Sequence, residues 1–191
     1  HFITHHPRHP KCSWCLAGKQ RRVAAYSIDD EEKDRCSEFG GRISFDHYFP
    51  GGKTPGAGGY KVALVVLDEG TGGAAVYPSA TKATSEVGNA LRDFIGAEWP
   101  EKVSFYSDNA NEFRNLAQEF RVSHYHSAPH RPESNGRMEA FMQTVADGAR
   151  TSLYTSGLDS SFWPFALQHW AQVFTVSHVQ PIGCLLYTSP I

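Results

Sequence analysis

Apolar and polar positions fall into two rhythms along this chain. Over residues 42–48 they alternate, with Ile43 and Phe45 set against Ser44 and Asp46, which predicts a strand. Residues 61–68 carry the unbroken apolar run Val62-Ala63-Leu64-Val65-Val66-Leu67, the mark of a strand covered on both faces. Gly70 to Gly73 turn the chain, and 74–78 return as a hairpin partner. Val87, Leu91, Phe94 and Ile95 then recur at helical spacing, predicting a helix over 82–96 with Thr84 and Ser85 as its cap. A strand is predicted at 103–106, a helix at 109–120 and a strand at 122–126. The polar, Pro-bearing stretch 127–136 reads as a mobile loop. Helices follow over 137–155 and 159–177, the second turning Phe162, Phe165, Ala166, Trp170 and Phe174 inward. The order β-β-β-α-β-α-β-α-α predicts an α/β fold, a mixed five-stranded sheet flanked by helices on both faces.

Composition narrows the class. A chain that is 40% hydrophobic and 13% aromatic is not disordered, and 191 residues suffice for one domain with appendages. A net charge of -2 gives no broad basic field, which weighs against a simple DNA-binding module. It weighs little against a metal-dependent nuclease, whose carboxylates offset its basic residues. No apolar run approaches the ~20 residues of a membrane helix, so no membrane association is expected. The chain opens at His1 without Met and reads as a piece of something longer. Its four cysteines do not form a disulfide framework and suit a reducing, intracellular setting.

Four regions follow. Residues 1–22 are rich in His and basic side chains and read as a small zinc-binding segment. Residues 23–40, with the mixed charges of 29–35, read as a linker. Residues 41–180 form the core. The stretch Cys184-Leu185-Leu186-Tyr187-Thr188-Ser189-Pro190 breaks the style of what precedes it, so 183–191 read as a non-native tail.

The candidate chemistry lies in three carboxylates. Asp46 and Asp108 each end an apolar, strand-like run, and Glu139 stands just inside a predicted helix after Ser134-Asn135-Gly136. Two Asp and one Glu from separate elements make an oxygen cage for two divalent cations, suited to in-line attack at phosphodiesters. Asp68 competes with Asp46 because it too ends a strand, and Glu133 competes with Glu139. A second constellation, His1, His5, Cys12 and Cys15, suits a closed tetrahedral Zn²⁺, with His6 and His9 as alternative ligands. Gly51-Gly52-Lys53-Thr54 does not make a phosphate-binding loop, since the Gly such a loop needs is His47 here.

Through Phe45-Asp46, Ser107-Asp108-Asn109-Ala110-Asn111-Glu112-Phe113 and Ser134-Asn135-Gly136-Arg137-Met138-Glu139, the chain resembles the integrase catalytic core of retroviruses and retrotransposons. The likeness is greatest to the copia-like integrases and covers about residues 1–180, including the later Phe162-Trp163-Pro164-Phe165-Ala166. The resemblance implies an RNase H-like fold with Asp46, Asp108 and Glu139 as catalytic residues and Mg²⁺ ligands, Mn²⁺ substituting. Asp46 would bridge both ions and the other two would each hold one. It also implies an HHCC-type zinc segment at the N-terminus, here compressed. The expected activity is DNA integration: trimming of element 3′ ends and their transfer to target DNA by a homo-oligomer, in a cytoplasmic particle and then the nucleus. Lys82, Arg131, Asn135 and Gln143 are the expected DNA contacts. Two departures stand out: 30 residues separate Asp108 from Glu139, fewer than is usual in the family, and Gln143 and Ala146 stand where retroviral relatives carry Lys. The alternatives are an integrase-like domain that binds nucleic acid or protein without catalysis, and a nuclease on the same fold.

Overall fold

The computed structural model describes residues 4–6, 9–18, 38–51, 55–96, 103–108, 110–126 and 136–177. His1, Arg131 and Asn135 lie outside this set, as do Glu133, most of the 23–40 linker and 127–136 loop, and the 183–191 tail.

The elements run α1 (Ser13–Gly18), β1 (Ile43–Tyr48), β2 (Val62–Asp68), β3 (Ala74–Ser79), α2 (Thr84–Ile95), β4 (Ser104–Ser107), α3 (Asn111–Phe120), β5 (Ser123–His126), α4 (Gly136–Ser156) and α5 (Trp163–Ser177). The five strands form one mixed sheet in the order β3-β2-β1-β4-β5. β1 pairs antiparallel with β2 and parallel with β4, so it stands at the centre, where the direction of pairing changes. This is the mixed five-stranded sheet that the hydrophobic rhythm predicts.

Alternation along the strands sorts the side chains into two cores. Ile43, Phe45, Leu64, Val66 and Phe105 meet Val87 and Leu91 of α2 and Phe113 and Leu116 of α3 on one face. Ala63, Val65 and Leu67 meet Val145 of α4 and Leu167, Trp170 and Phe174 of α5 on the other. All seven residues of β2 are therefore buried, which explains its unbroken apolar run. Phe45 centres the first core, packing edge-to-face on Phe105 at 5.3 Å and Phe113 at 5.0 Å, contacts worth about 0.5–1.5 kcal/mol each beyond burial. On the second face, the Thr175 hydroxyl of α5 bonds both the N–H and the carbonyl of Ala74, at 2.9 Å each, tying the helix to the edge strand.

Two local expectations are corrected. Phe162 and Phe165 do not turn inward with Ala166, Trp170 and Phe174, but are 38% and 48% exposed. Thr84 and Ser85 do not cap α2: they are its first residues, Ala83 occupies the cap position, and no side chain caps there. Instead Glu86, in the first turn, reaches back to accept from the Thr81 hydroxyl at 2.8 Å and the Thr81 N–H at 3.3 Å. A carboxylate is well placed at the positive end of a helix dipole.

Candidate active site

The site is built just beyond the last pairing of parallel strands β1 and β4. On β1, Ile43 and Phe45 point into the α2–α3 core, so Asp46 points to the opposite face, toward α4 and α5. The β1–β4 register pairs Ile43 with Phe105 and Ser44 with Tyr106. Two residues beyond that last pair come Asp46 on β1 and Asp108, immediately past the last residue of β4. Glu139 lies in the first turn of α4, which packs on β1.

The electrostatics show that Asp46 feels the charges of both other carboxylates. The Asp46 carboxyl is pushed up to about 6, chiefly by burial, then by the negative charges of Asp108 and Glu139. The His47 N–H, 2.7 Å from Asp46 Oδ1, pulls the other way. The three carboxylates do not, however, all come within 4.8 Å of one another, as ligands of a single ion would. Two ions about 3.5–4 Å apart spread their ligands more widely than one.

Asp108 is held by a local turn. Its Oδ1 accepts the Ala110 N–H at 3.1 Å, yet Ala110, not Asp108, occupies the cap position of α3. Ser107 donates its hydroxyl to the Asp108 carbonyl at 2.9 Å and lies 2.8 Å from His124 Nε2. A hydroxyl has one proton, so His124 Nε2 carries the hydrogen of the second contact. Beside the site, His47 stacks on Phe113 at 4.9 Å. Burial, then Lys82, holds its imidazole below the usual range, against the pull of Glu112 and Asp108.

The rival acids separate on geometry. Asp68 pairs with Ile43, three positions before Asp46 on β1, or roughly 10 Å along the strand. It is fully buried and accepts the N–H groups of Gly40 at 3.1 Å and Thr71 at 2.9 Å, besides the Thr71 hydroxyl. Its oxygens are occupied in fixing turns. Of the expected DNA contacts within the described residues, Lys82 and Gln143 are both exposed. Lys82 Nζ sits 5.0 Å over the Phe49 ring, and Gln143 lies one turn along α4 from Glu139.

Sequence reasoning missed Glu69. This acid, whose side chain is only 10% exposed, takes the Ser44 hydroxyl and pairs with Arg137 at 3.1 Å and Arg42 at 3.4 Å. Arg137 is two residues before Glu139, so Glu69 ties the start of α4 to the sheet. No spacing rule announces such a pair, since it joins a hairpin turn to a helix far along the chain.

The N-terminal residues form a separate cluster. His5 Nδ1 lies 3.4 Å from the Cys12 sulfur and 3.5 Å from the Cys15 sulfur. A tetrahedral zinc, with bonds of about 2.3 Å to sulfur and 2.0–2.1 Å to nitrogen, sets such ligands about 3.5 Å apart. The donor set and its spacing therefore fit zinc. His6 and His9 stand outside this trio: His6 is edge-on to Phe174 at 5.9 Å, and His9 Nδ1 accepts the Lys11 N–H at 3.2 Å.

No protein-family model matches the chain. The retrovirus-related Pol polyprotein from transposon RE1 of Arabidopsis thaliana is 28% identical over 112 residues, 56% of this chain. The corresponding polyprotein from transposon TNT 1-94 of Nicotiana tabacum is 25% identical over 164 residues, 82% of this chain. The chain spans only 8% and 12% of these two relatives. Among solved structures, the catalytic core domain of BIV integrase superposes with a TM-score of 0.53 at 15% identity, covering 75% of this chain and 89% of that one. The chain's relatives are thus retrotransposon Pol polyproteins and its fold is that of a retroviral integrase catalytic core, consistent with a copia-like integrase core.

Proposed function

We propose that this chain is the catalytic core of a retroelement integrase, a metal-dependent polynucleotidyl transferase that trims element DNA ends and joins them to target DNA. The observation that supports the reading is that the charges of Asp108 and Glu139 both act on the Asp46 carboxyl. Asp108, just past β4, and Glu139, in the first turn of α4, add to the cost of ionising the partly buried Asp46 on β1. Divalent cations relieve that cost, and oxygen-only ligands select Mg²⁺ or Mn²⁺. When bound, two such ions would supply charge stabilisation at the attacking and leaving oxygens of a phosphodiester.

Asp46, Asp108 and Glu139 would hold these ions. Asp46 keeps its proton up to a pH of about 6, so there a cation must compete with a proton. Ser107 and His124 fix the backbone at Asp108, and the Glu69–Arg137 pair fixes the turn that carries Glu139. DNA binding would rest on phosphate contacts to polar residues, the exposed Lys82 and Gln143 among them, with Arg131 and Asn135 from the sequence before α4. His5, Cys12 and Cys15 would hold a structural zinc, with His1, His6 or His9 as fourth ligand. A homo-oligomer working first in a cytoplasmic particle and then in the nucleus accords with a retrotransposon relationship. No helix of the described residues is long and apolar enough to cross a membrane.

The test is DNA joining in Mg²⁺ by a full-length protein that contains this chain. Glu139→Gln keeps size and loses a charge, so trimming and joining should both collapse while DNA binding survives. Glu133→Gln should be nearly silent. Full activity in Glu139→Gln with loss in Glu133→Gln would assign the wrong glutamate.

A further inference from the structure

The described N-terminal residues lie directly against the helices that cover the active-site face, and α1 packs along α4. Trp170 Nε1 of α5 donates to the Thr4 carbonyl at 2.9 Å. Arg150 Nε of α4 donates to the carbonyl of Gly18, the last residue of α1, at 3.1 Å. Asp147, 3% exposed and just over two turns along α4 from Glu139, pairs with Arg150 and so orients its guanidinium toward α1. The approach is close enough to require glycine: a Cβ at Gly18 would stand 2.5 Å from Thr151 Oγ1 and 3.0 Å from the Thr151 backbone N.

A six-residue helix does not hold its shape alone in water. The trio His5, Cys12 and Cys15 gathers at the N-terminal half of this one, and Cys15 is fully buried within α1. We infer that the zinc site is a staple for this interface. Metal on the trio shapes residues 4–18 to fit the α4–α5 surface, and that surface holds the ligands in place, so metal binding and docking are one equilibrium. The inference rests on the zinc reading above. By linkage, whatever factor docking adds to zinc affinity, zinc adds to docking. The N-terminal segment then belongs to the folding unit of the core and steadies the helix that bears Glu139.

The test uses the full chain, loaded with zinc and then stripped by a chelator. The indole N–H of Trp170, assigned by comparison with Trp170→Phe, should exchange slowly with solvent when zinc is bound and rapidly when it is removed. Gly18→Val leaves every ligand in place. It should weaken zinc binding, measured by competition with a chelating dye, by about tenfold or more, the effect of losing one or two net hydrogen bonds. Arg150→Gln, a milder change, should weaken it several-fold. An indole N–H equally protected without metal, or wild-type zinc affinity in both variants, would overturn the staple while leaving the zinc site standing. A protein that neither retains nor takes up zinc would remove the zinc reading itself, and the staple with it.

Discussion

Asp46, on β1, and Asp108, directly after the neighbouring parallel strand β4, each follow by two residues the last β1–β4 pair, Ser44 with Tyr106. The charge of Asp108 acts on the Asp46 carboxyl, and Glu139 adds a second negative charge from α4. The arrangement is unfavourable for a protein on its own, and that leads to the first prediction.

Asp46→Asn should abolish Mg²⁺-dependent chemistry and yet stabilise the fold when no Mg²⁺ is added. The Asp46 pKa is raised from 3.8 to about 6 in the folded state. The folded protein therefore binds the proton more tightly than the unfolded chain, and stability falls as pH rises between these values. At pH 7.5 the amide should gain about 1–2 kcal/mol after allowance for solvent screening. The gain should vanish below about pH 4, where Asp46 is protonated in both states. Denaturant melts of both proteins at pH 4 and pH 7.5 check this; a variant less stable at pH 7.5 contradicts it.

Activity should also fall with acid. Below a pH of about 6 a proton occupies Asp46 and opposes cation binding. Raising Mg²⁺ should restore part of the rate at pH 5.5. A rate at that pH that is low and indifferent to Mg²⁺ would place the titration elsewhere.

Glu69 and Arg137 should couple. Because Glu69 is mostly buried and Arg137 half-exposed, a double-mutant cycle with Glu69→Gln and Arg137→Gln should give about 1 kcal/mol of interaction. DNA joining should drop in each single variant through lost placement of Glu139, with DNA affinity little changed. Equal losses of binding and joining would argue against a positioning role.

Gly148→Ala should destabilise, although Ala is ordinarily better than Gly within a helix by about 1 kcal/mol. The added Cβ would fall 2.0 Å from Trp170 Nε1, so the indole must move or the helices part. A net loss of about 1–3 kcal/mol is expected, as for overpacked cores. A rise in melting temperature would show that the interface yields.

The sheet was legible because its cues are local. The alternation around Phe45 and the run at Val62 to Leu67 each have one periodicity, and helix spacing at Val87, Leu91 and Ile95 has another. The three carboxylates stood out because two end apolar, strand-like runs of sequence and the third opens a helix. What sequence could not show depends on pairs far apart in the chain. Asp68 and Asp46 look alike as strand-end acids, and only the hydrogen bonds from Gly40 and Thr71 mark Asp68 as a turn-fixing residue. Glu69 with Arg137, and Trp170 with Thr4, are contacts between elements whose meeting no short-range pattern encodes. Glu86 capping through Thr81 was missed because Thr84 and Ser85 offered a more familiar signal.

The central claim is that Asp46, Asp108 and Glu139 serve one cation site, and the most direct test is a crystal soaked in Mn²⁺ and measured for anomalous scattering. The account predicts metal peaks within bonding distance of all three carboxylates, with Asp68 and Glu69 free of metal. Those peaks should be lost in Glu139→Gln or reduced to a single ion. A peak bound by Asp68 or Glu69, or none touching Asp46 and Asp108 together, would contradict it.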